Sequence, residues 1–596
     1  MFVWTEKELN QKQGEIVKNP NSILLVACPG SGKTRTLTYK IAYELEKLEN
    51  PRKYIIAITY TNKAAEEIKE RIELLGVETS QLWIGTIHSF CNEWILKPYF
   101  NLIEDLQYGY RIIDAFESEH LLNYFASKIK TERITAWHCN HFATLTGIEA
   151  VQKREPIISI LNDYFSHLKK NQAINYEQIL WYSYKLLLEH KIISKTLANI
   201  FHYILVDEYQ DTKKVQYHII SKILKSANGS IKNFIVGDPN QSIFGGLGGY
   251  PMEKDELERI SSLDYELHHL ENNYRSSKRI IEYFDYYKTY SNSIIPSGEN
   301  SDFPSLITLD DIIHVDNLVK QIVTLLQHTI KNQQILPEEI CIVAPQWVHL
   351  ASITRNLIVE MPDYSFNGPG MAPFSRDIEN FWYKLSRIVL TEPSPKMYVR
   401  RIRWAREVLE FLIETGVDVK KITPKKLLRL CNEIIVEEEH GIPYLKEVFK
   451  LFCQELKIEV ELYASLKNSH ESFFISSERR IERITKTGNT SIATTESFKK
   501  VFKQREGITI STIHGVKGLE FDTVIAFGIL EGYVPHQNDA NGTDTAKKML
   551  YVVASRAKKN LHIIAESGRK NWKKQPLYIT DIVGKYNYSY SPLIDE

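Results

Sequence analysis

The chain has 596 residues, with 74 Lys or Arg against 74 Asp or Glu, so its formal net charge is zero. At 43% hydrophobic and 25% charged it is composed like an ordinary globular protein, and its length suits about four folding units. No apolar run approaches the ~20 residues that span a bilayer, and a neutral chain can meet nucleic acid only through a local basic groove.

The first ten residues are partly acidic and lack the apolar core of a secretory signal. The cysteines at 28, 91, 139, 341, 431 and 453 show no Cys-x-x-Cys spacing. Together these features predict a reduced, cytoplasmic setting without a structural zinc or an iron–sulfur cluster.

The apolar run Ile23 to Ala27 predicts a buried parallel strand, and an amphipathic helix follows Lys33. Between them lies Ala27-Cys28-Pro29-Gly30-Ser31-Gly32-Lys33-Thr34, then Arg35. Strand, Gly-rich loop and helix form the context of a phosphate-binding P-loop. Gly30 and Gly32 let backbone N–H groups approach an anion. Lys33 is expected to reach the outer phosphates and Thr34 to bind Mg²⁺. The strict pattern opens on Gly, and Ala27 departs from it. Gln13, just upstream, offers the donor–acceptor pair that an adenine edge needs.

A second apolar strand runs from Tyr54 into Thr59-Tyr60-Thr61-Asn62. Tyr60 and Asn62 then lie at the strand's C-terminal edge, where open α/β sheets bind ligands. An aromatic ring beside an amide and Lys63 suits a single strand, in which a base stacks and a phosphate is held. Another strand closes on Thr86 and His88, which suit phosphate or sugar contacts. From about 95 to 195 the apolar spacing turns helical, as in Leu121, Leu122, Tyr124 and Phe125. Within it, Trp137 to His141 carries metal-ligand residue types without a second ligand pair, and reads as a loop.

The strand Phe201 to Val206 delivers Asp207 and Glu208 at its C-terminal end. Asp207 suits Mg²⁺, and Glu208 suits activation of a water at a γ-phosphate. The next strand leads to Gln241, placed as a γ-phosphate sensor, and to Phe244, which could face a base.

These segments, in this order, resemble the superfamily 1 DNA helicases of the UvrD/Rep/PcrA type. The resemblance implies an α/β fold of two RecA-like parallel-sheet motor domains, each with a helical insertion. It implies ATP hydrolysis with Mg²⁺ and 3′ to 5′ movement on single-stranded or tailed duplex DNA. Its expected domains are 1A (1–94 and 196–275), 1B (95–195), 2A (276–394 and 491–596) and a reduced 2B (395–490).

By the same resemblance Gln13, Lys33, Thr34, Arg35, Asp207, Glu208 and Gln241 match nucleotide motifs, and Tyr60, Asn62, Thr86 and His88 match DNA-side motifs. Leu270 to Ser277 resembles the motif in which Tyr274 stacks on adenine and Arg275 meets the γ-phosphate. Ile508 to Phe521 resembles motif V, with His514 and Lys517 coupling DNA to nucleotide and Glu520 binding ribose. Leu550 to Ala557 resembles motif VI, which makes Arg556 a second arginine finger.

Three departures stand out. Where the family carries a stacking Trp two positions after Phe244, this chain has Gly246 within Gly245-Gly246-Leu247-Gly248-Gly249. The replacement stack falls to Trp347 or Trp572, each equally readable as core. The acidic pair upstream of motif VI is replaced by Thr545 and Ala546. The 2B interval is short and highly charged, and its run Arg400 to Arg406 reads either as a duplex contact or as a solvated face.

A short helicase with a reduced 2B also resembles the helicase-like subunit of anti-phage systems such as Gabija. That implies a nuclease or ATPase protein partner, and the rival role of a DNA-stimulated subunit without processive unwinding. The Tyr586-Asn587-Tyr588-Ser589-Tyr590 tail reads as a docking segment or a frayed end, and the stretch after Arg556 is expected to be too short for an added nuclease domain.

Overall fold

Continuous apolar strands predict parallel sheets covered on both faces by helices, and the chain folds as such an α/β protein. A computed structural model describes residues 4–368, 373–374, 377, 380–486, 491–502, 507–537, 539, 541–571 and 573–594. Two units separate: Met1–Val315 with Ile513–Leu593, and Asp316–Thr512 with Ile594–Glu596.

The first unit is built on a six-stranded sheet. Its strands are β1 (Ser22–Ala27), β2 (Tyr54–Thr59), β3 (Leu82–Thr86), β4 (Phe201–Val206), β5 (Lys232–Gly237) and β6 (Tyr265–Leu270). They run in the order β6-β1-β5-β4-β2-β3, every neighbour parallel. Strand periodicity sends alternate residues to opposite faces. Leu24, Ile56, Ile58, Ile204 and Ile235 enter one core, and Ile23, Leu25, Ile55, Leu205 and Phe234 the other. Because the strands are parallel, β1, β2, β4 and β5 all end at one edge. That edge brings together the loops after Ala27, Thr59, Val206 and Gly237.

The stretch after β3 is largely helical, with helices Ala115–Ser127, Glu155–Lys170, Tyr176–Glu189 and Lys191–Ile200. Leu122 and Phe125 are buried there against Ile157, Leu161 and Tyr164, while Tyr124 is exposed. The segment Trp137 to His141 forms a 3-10 turn leading into an antiparallel hairpin, His141–Ala143 with Ile148–Ala150. His141 bonds the Cys139 carbonyl at 2.9 Å and the Asn175 amide at 2.9 Å, so its ring serves the turn.

The first unit also holds the parallel strands Ile307–Asp310, Ala557–Ile564 and Phe521–Ala526. The tyrosine tail packs onto this part. Tyr586 stacks on Tyr286 at 3.8 Å, and Tyr283 touches Tyr586, Tyr588 and Tyr590. Arg279 donates to the Ser589 carbonyl, and Ser591 N–H to that of Ile307. The frayed-end reading therefore fails, because alternate tyrosines pack half-buried rings against Tyr283 and Tyr286 at the end of the helix Lys278–Asp285.

The second unit has the parallel strands Ile340–Ala344, Ile508–Thr512 and Phe366–Asn367, then a helical bundle from Phe381 to Lys500. Trp382, Trp404, Leu412, Phe449 and Phe473 fill its core. The Arg400 to Arg406 run divides: Arg406 is exposed and Arg400 partly so, while Arg401 and Arg403 correct both of its expectations. Arg401 and Arg403 are buried, since the helix Tyr398–Glu414 turns Arg401, Trp404, Val408 and Leu412 inward. Arg401 donates to the Asn432 side chain at 2.6 Å, and Arg403 lies 4.0 Å from Glu407. Ala546 is buried within the helix Gly542–Ala554 of the first unit. All six cysteines are buried thiols. Among the described residues, no helix is long and apolar enough to cross a membrane.

Candidate nucleotide and DNA sites

The P-loop turns where only small residues fit. Gly30 has φ +67°, and a Cβ there would sit 2.6 Å from the Arg275 Cβ. Gly32, at φ +77°, caps the helix Lys33–Lys47, and a Cβ would meet the Gln13 amide at 2.7 Å. Both needs, positive φ and close approach, are met by glycine alone. The loop is tied down from its flanks. Gln13 donates to the Ser31 carbonyl at 2.9 Å and accepts from Asn10 N–H at 2.9 Å. Ser31 Oγ donates to the Cys28 carbonyl at 2.7 Å. Burial pushes the Cys28 thiol up, so it is inert. Ala27 ends β1 beside Leu270, and the Pro29 carbonyl accepts from Asn273.

Lys33 ion-pairs with Glu208 and lies 3.7 Å from Asp207. Burial alone would pull the Lys33 ammonium down, but the two carboxylates outweigh it and hold its pKa above the ordinary value. Burial raises the Asp207 carboxyl. Glu208 is pushed up by burial, yet Lys33 and Lys517 prevail and hold it below the usual range. Glu208 has φ +52°, ψ +44°, a left-handed conformation that a residue with a Cβ adopts at a cost. Thr34 is half-buried one residue into the helix, and Arg35 is exposed and donates to the Glu8 carbonyl.

Arg556 is fully buried. It donates to Gln241 Oε1 at 2.9 Å and to the Val552 and Leu519 carbonyls. Burial, with Arg275 nearby, pulls its pKa down to about 9. Gln241 donates in turn to Asp238 at 2.8 Å. Arg275 pairs with Glu520 at 2.7 Å and donates to the Ser555 carbonyl at 2.9 Å. Tyr274 is 40% exposed, its hydroxyl accepting from Asn10 at 2.7 Å and Asn272 at 3.3 Å. A lysine, two arginines and two carboxylates thus gather around the P-loop, a charge set that can hold a polyphosphate and polarise a water beside it.

Beside this charge cluster lies an aromatic group. Tyr60, 41% exposed, faces Phe244 at 5.0 Å, and Phe244 faces His514 at 5.3 Å. Lys517 Nζ stands 5.4 Å over the Phe244 ring, donates to the Gln241 carbonyl at 2.6 Å and pairs with Asp211. Asn62 opens the helix Asn62–Leu74, and Thr86 caps the next, accepting from Ser89 N–H. His88 lies against Tyr176, its Nε2 buried. Burial lowers its pKa to about 4. Trp347 is exposed at the start of a helix in the second unit, which removes its core reading. Trp572 lies outside the described residues.

Four residues escaped the sequence reading. Asn273 accepts from Arg275 and Ser276 N–H while donating to Pro29, so it pins the arginine to the P-loop. Gln210 bridges Glu208 and the Asp238 N–H. Asp238 and Asp211 are buried, and burial raises both to about 6. The signal was present in Glu271-Asn272-Asn273 and in Asp207 to Asp211, stretches rich in polar residues that follow strands.

Two family models match the chain, the UvrD/REP helicase N-terminal domain over residues 9–253 and the UvrD-like helicase C-terminal domain over residues 425–568. The chain belongs to the UvrD/Rep/PcrA-type superfamily 1 helicases. Within that family it is similar to the ATP-dependent DNA helicase PcrA of Staphylococcus epidermidis RP62A. The two are 30% identical over 304 residues, which are 46% of this chain and 39% of that protein. It is also 32% identical over 295 residues to the PcrA of Staphylococcus aureus Mu50, again 46% of this chain and 39% of the relative. The match thus spans well under half the length of these relatives.

Proposed function

We propose that the protein is an ATP-driven motor that moves 3′ to 5′ on single-stranded DNA and separates tailed duplexes. The observation that carries this reading is the convergence of Lys33, Asp207, Glu208, Gln241, Arg275 and Arg556 around the P-loop, beside the Tyr60–Phe244 aromatic pair. The proposed domains are 1A (1–94, 196–275), 1B (95–195), 2A (276–394, 491–596) and 2B (395–490).

In this reading Gly30, Ser31 and Gly32 cradle the phosphates with backbone N–H groups. Lys33 leaves Glu208 for the β- and γ-phosphates. That frees Glu208 to take a proton from the attacking water. Arg275 and Arg556 spread the charge that develops on the transferred group, with Gln241 aligning Arg556. Gln13 and Tyr274 hold the adenine, and Glu520 the ribose. Thr34 and Asp207 suit Mg²⁺, being hard oxygen donors with one carboxylate buried and in need of a cation. When bound, that ion neutralises phosphate charge. Tyr60, Asn62, Thr86, His88, Phe244 and His514 grip the strand.

The open glycine turn favours a second reading, a DNA-stimulated ATPase without processive unwinding. An ideal Cβ at Gly245 or Gly246 meets nothing within 4 Å, so no stacking group stands there. Strand separation on 3′-tailed and 5′-tailed duplexes tests both readings. Unwinding of the 3′-tailed substrate alone supports the motor. ATP turnover on DNA with neither duplex opened supports the second reading, and unwinding from a 5′ tail overturns the polarity.

A further inference from the structure

Phe244 has three close neighbours. Tyr60 lies at 5.0 Å, His514 at 5.3 Å and the Lys517 ammonium at 5.4 Å from its ring centre. Phe244 is nonetheless only half-buried, so a base can approach it within this set of neighbours. The three differ in how firmly they are held. Tyr60 is 41% exposed and held by ring packing. Lys517 is fixed by two strong bonds, the ion pair with Asp211 and the 2.6 Å bond to the Gln241 carbonyl. The side chain of Asp211 is fully buried, and that of Lys517 is 8% exposed. A charge-assisted pair in such surroundings resists displacement, because either partner alone would be stranded.

We propose that Asp211 is a positioning residue for DNA binding: by pinning Lys517 against Phe244 it makes Phe244 the fixed jaw of a base clamp, with Tyr60 as the jaw that moves. The proposal rests on the DNA-binding reading above. In it Lys517 meets a ring and not a phosphate, and Asp211 never touches DNA. The same pin reaches the charge cluster around the P-loop, because the Gln241 backbone that Lys517 holds carries the side chain bonded to Arg556. The 3-10 turn Tyr209–Asp211 directly follows Glu208, so the anchor is covalently close to the proposed base. A sensor of strand occupancy and the groups that act on ATP therefore share one buried ion pair.

The test is binding of a dT oligonucleotide carrying one 2-aminopurine, measured across a salt series for the wild-type chain and Asp211→Asn. Asparagine keeps the shape and removes the charge. The proposal expects affinity to fall at least fivefold, the lower end of one base–aromatic stack, together with loss of 2-aminopurine quenching. The slope of log affinity against log salt should not change, since no phosphate contact is removed. Affinity within twofold of wild type, or a slope lowered by about one charge, would overturn it. If Asp211→Asn does not fold, the paired variant Asp211→Leu/Lys517→Met replaces the ion pair with apolar groups and is held to the same expectations. A wild-type chain that fails to bind the oligonucleotide overturns the DNA reading itself, which the wild-type arm reports separately.

Discussion

The charge cluster around the P-loop and the aromatic face beside it share strand ends but differ in how far they are braced. In the charge cluster the groups are buried or half-buried and cross-braced: Asn273 ties Arg275 to Pro29, Gln210 ties Glu208 to Asp238, and Gln241 ties Asp238 to Arg556. On the aromatic face Tyr60 is exposed, and the turn after Phe244 is four glycines and a half-exposed Leu247. Chemistry that stabilises a transition state needs groups fixed before the reaction. In the proposed motor, a grip that releases a strand at every step needs one yielding jaw, the role given to Tyr60 opposite the pinned Phe244.

Breaking the charge cluster should cost most. Glu208→Gln removes the proposed base while keeping its hydrogen-bonding shape, and phosphate release should fall at least about 100-fold with nucleotide binding retained. Arg556→Lys keeps one charge but cannot reach Gln241, Val552 and Leu519 together. Its turnover should drop by about tenfold or more with little change in KM, as expected for a group acting on the transition state. Steady-state kinetics separate the two patterns.

Sharpening the other side should produce a gain. Gly246 has open space where a side chain would go and no left-handed φ. Gly246→Trp should fit and tighten single-strand binding by about 1–3 kcal/mol, one base stack, read by anisotropy of a labelled oligonucleotide. Unchanged affinity would mean that the strand does not pass this turn.

The smallest effect concerns His88. Burial holds its pKa at about 4, against 6.5 when free. A histidine kept neutral by folding contributes stability that is full above pH 6.5 and is lost as the pH falls toward 4. Denaturant titrations at about pH 7.5 and about pH 5.5 should differ by roughly 1 kcal/mol more for wild type than for His88→Asn.

What was legible in the sequence was local. The P-loop, the Asp207–Glu208 pair and the strands before them announce themselves within a few residues, since parallel strands must be apolar throughout and their ligand groups must follow directly. The braces were not legible. Asn273 and Gln210 are neutral amides whose worth lies in which distant carbonyl they meet. The burial of Arg401 and Arg403 was hidden as well, because a basic run looks solvated until a helix packs over it. The tail tyrosines looked frayed because their partners, Tyr283 and Tyr286, lie some 300 residues away in sequence.

One assay addresses the motor reading at its root: ATP hydrolysis by the wild-type chain and Glu208→Gln, with and without single-stranded DNA. Stimulation of at least about tenfold by the strand, absent in Glu208→Gln, is the predicted result. Hydrolysis by the wild-type chain that ignores DNA would contradict it, and would make the charge cluster a switch answering to something other than a nucleic acid strand.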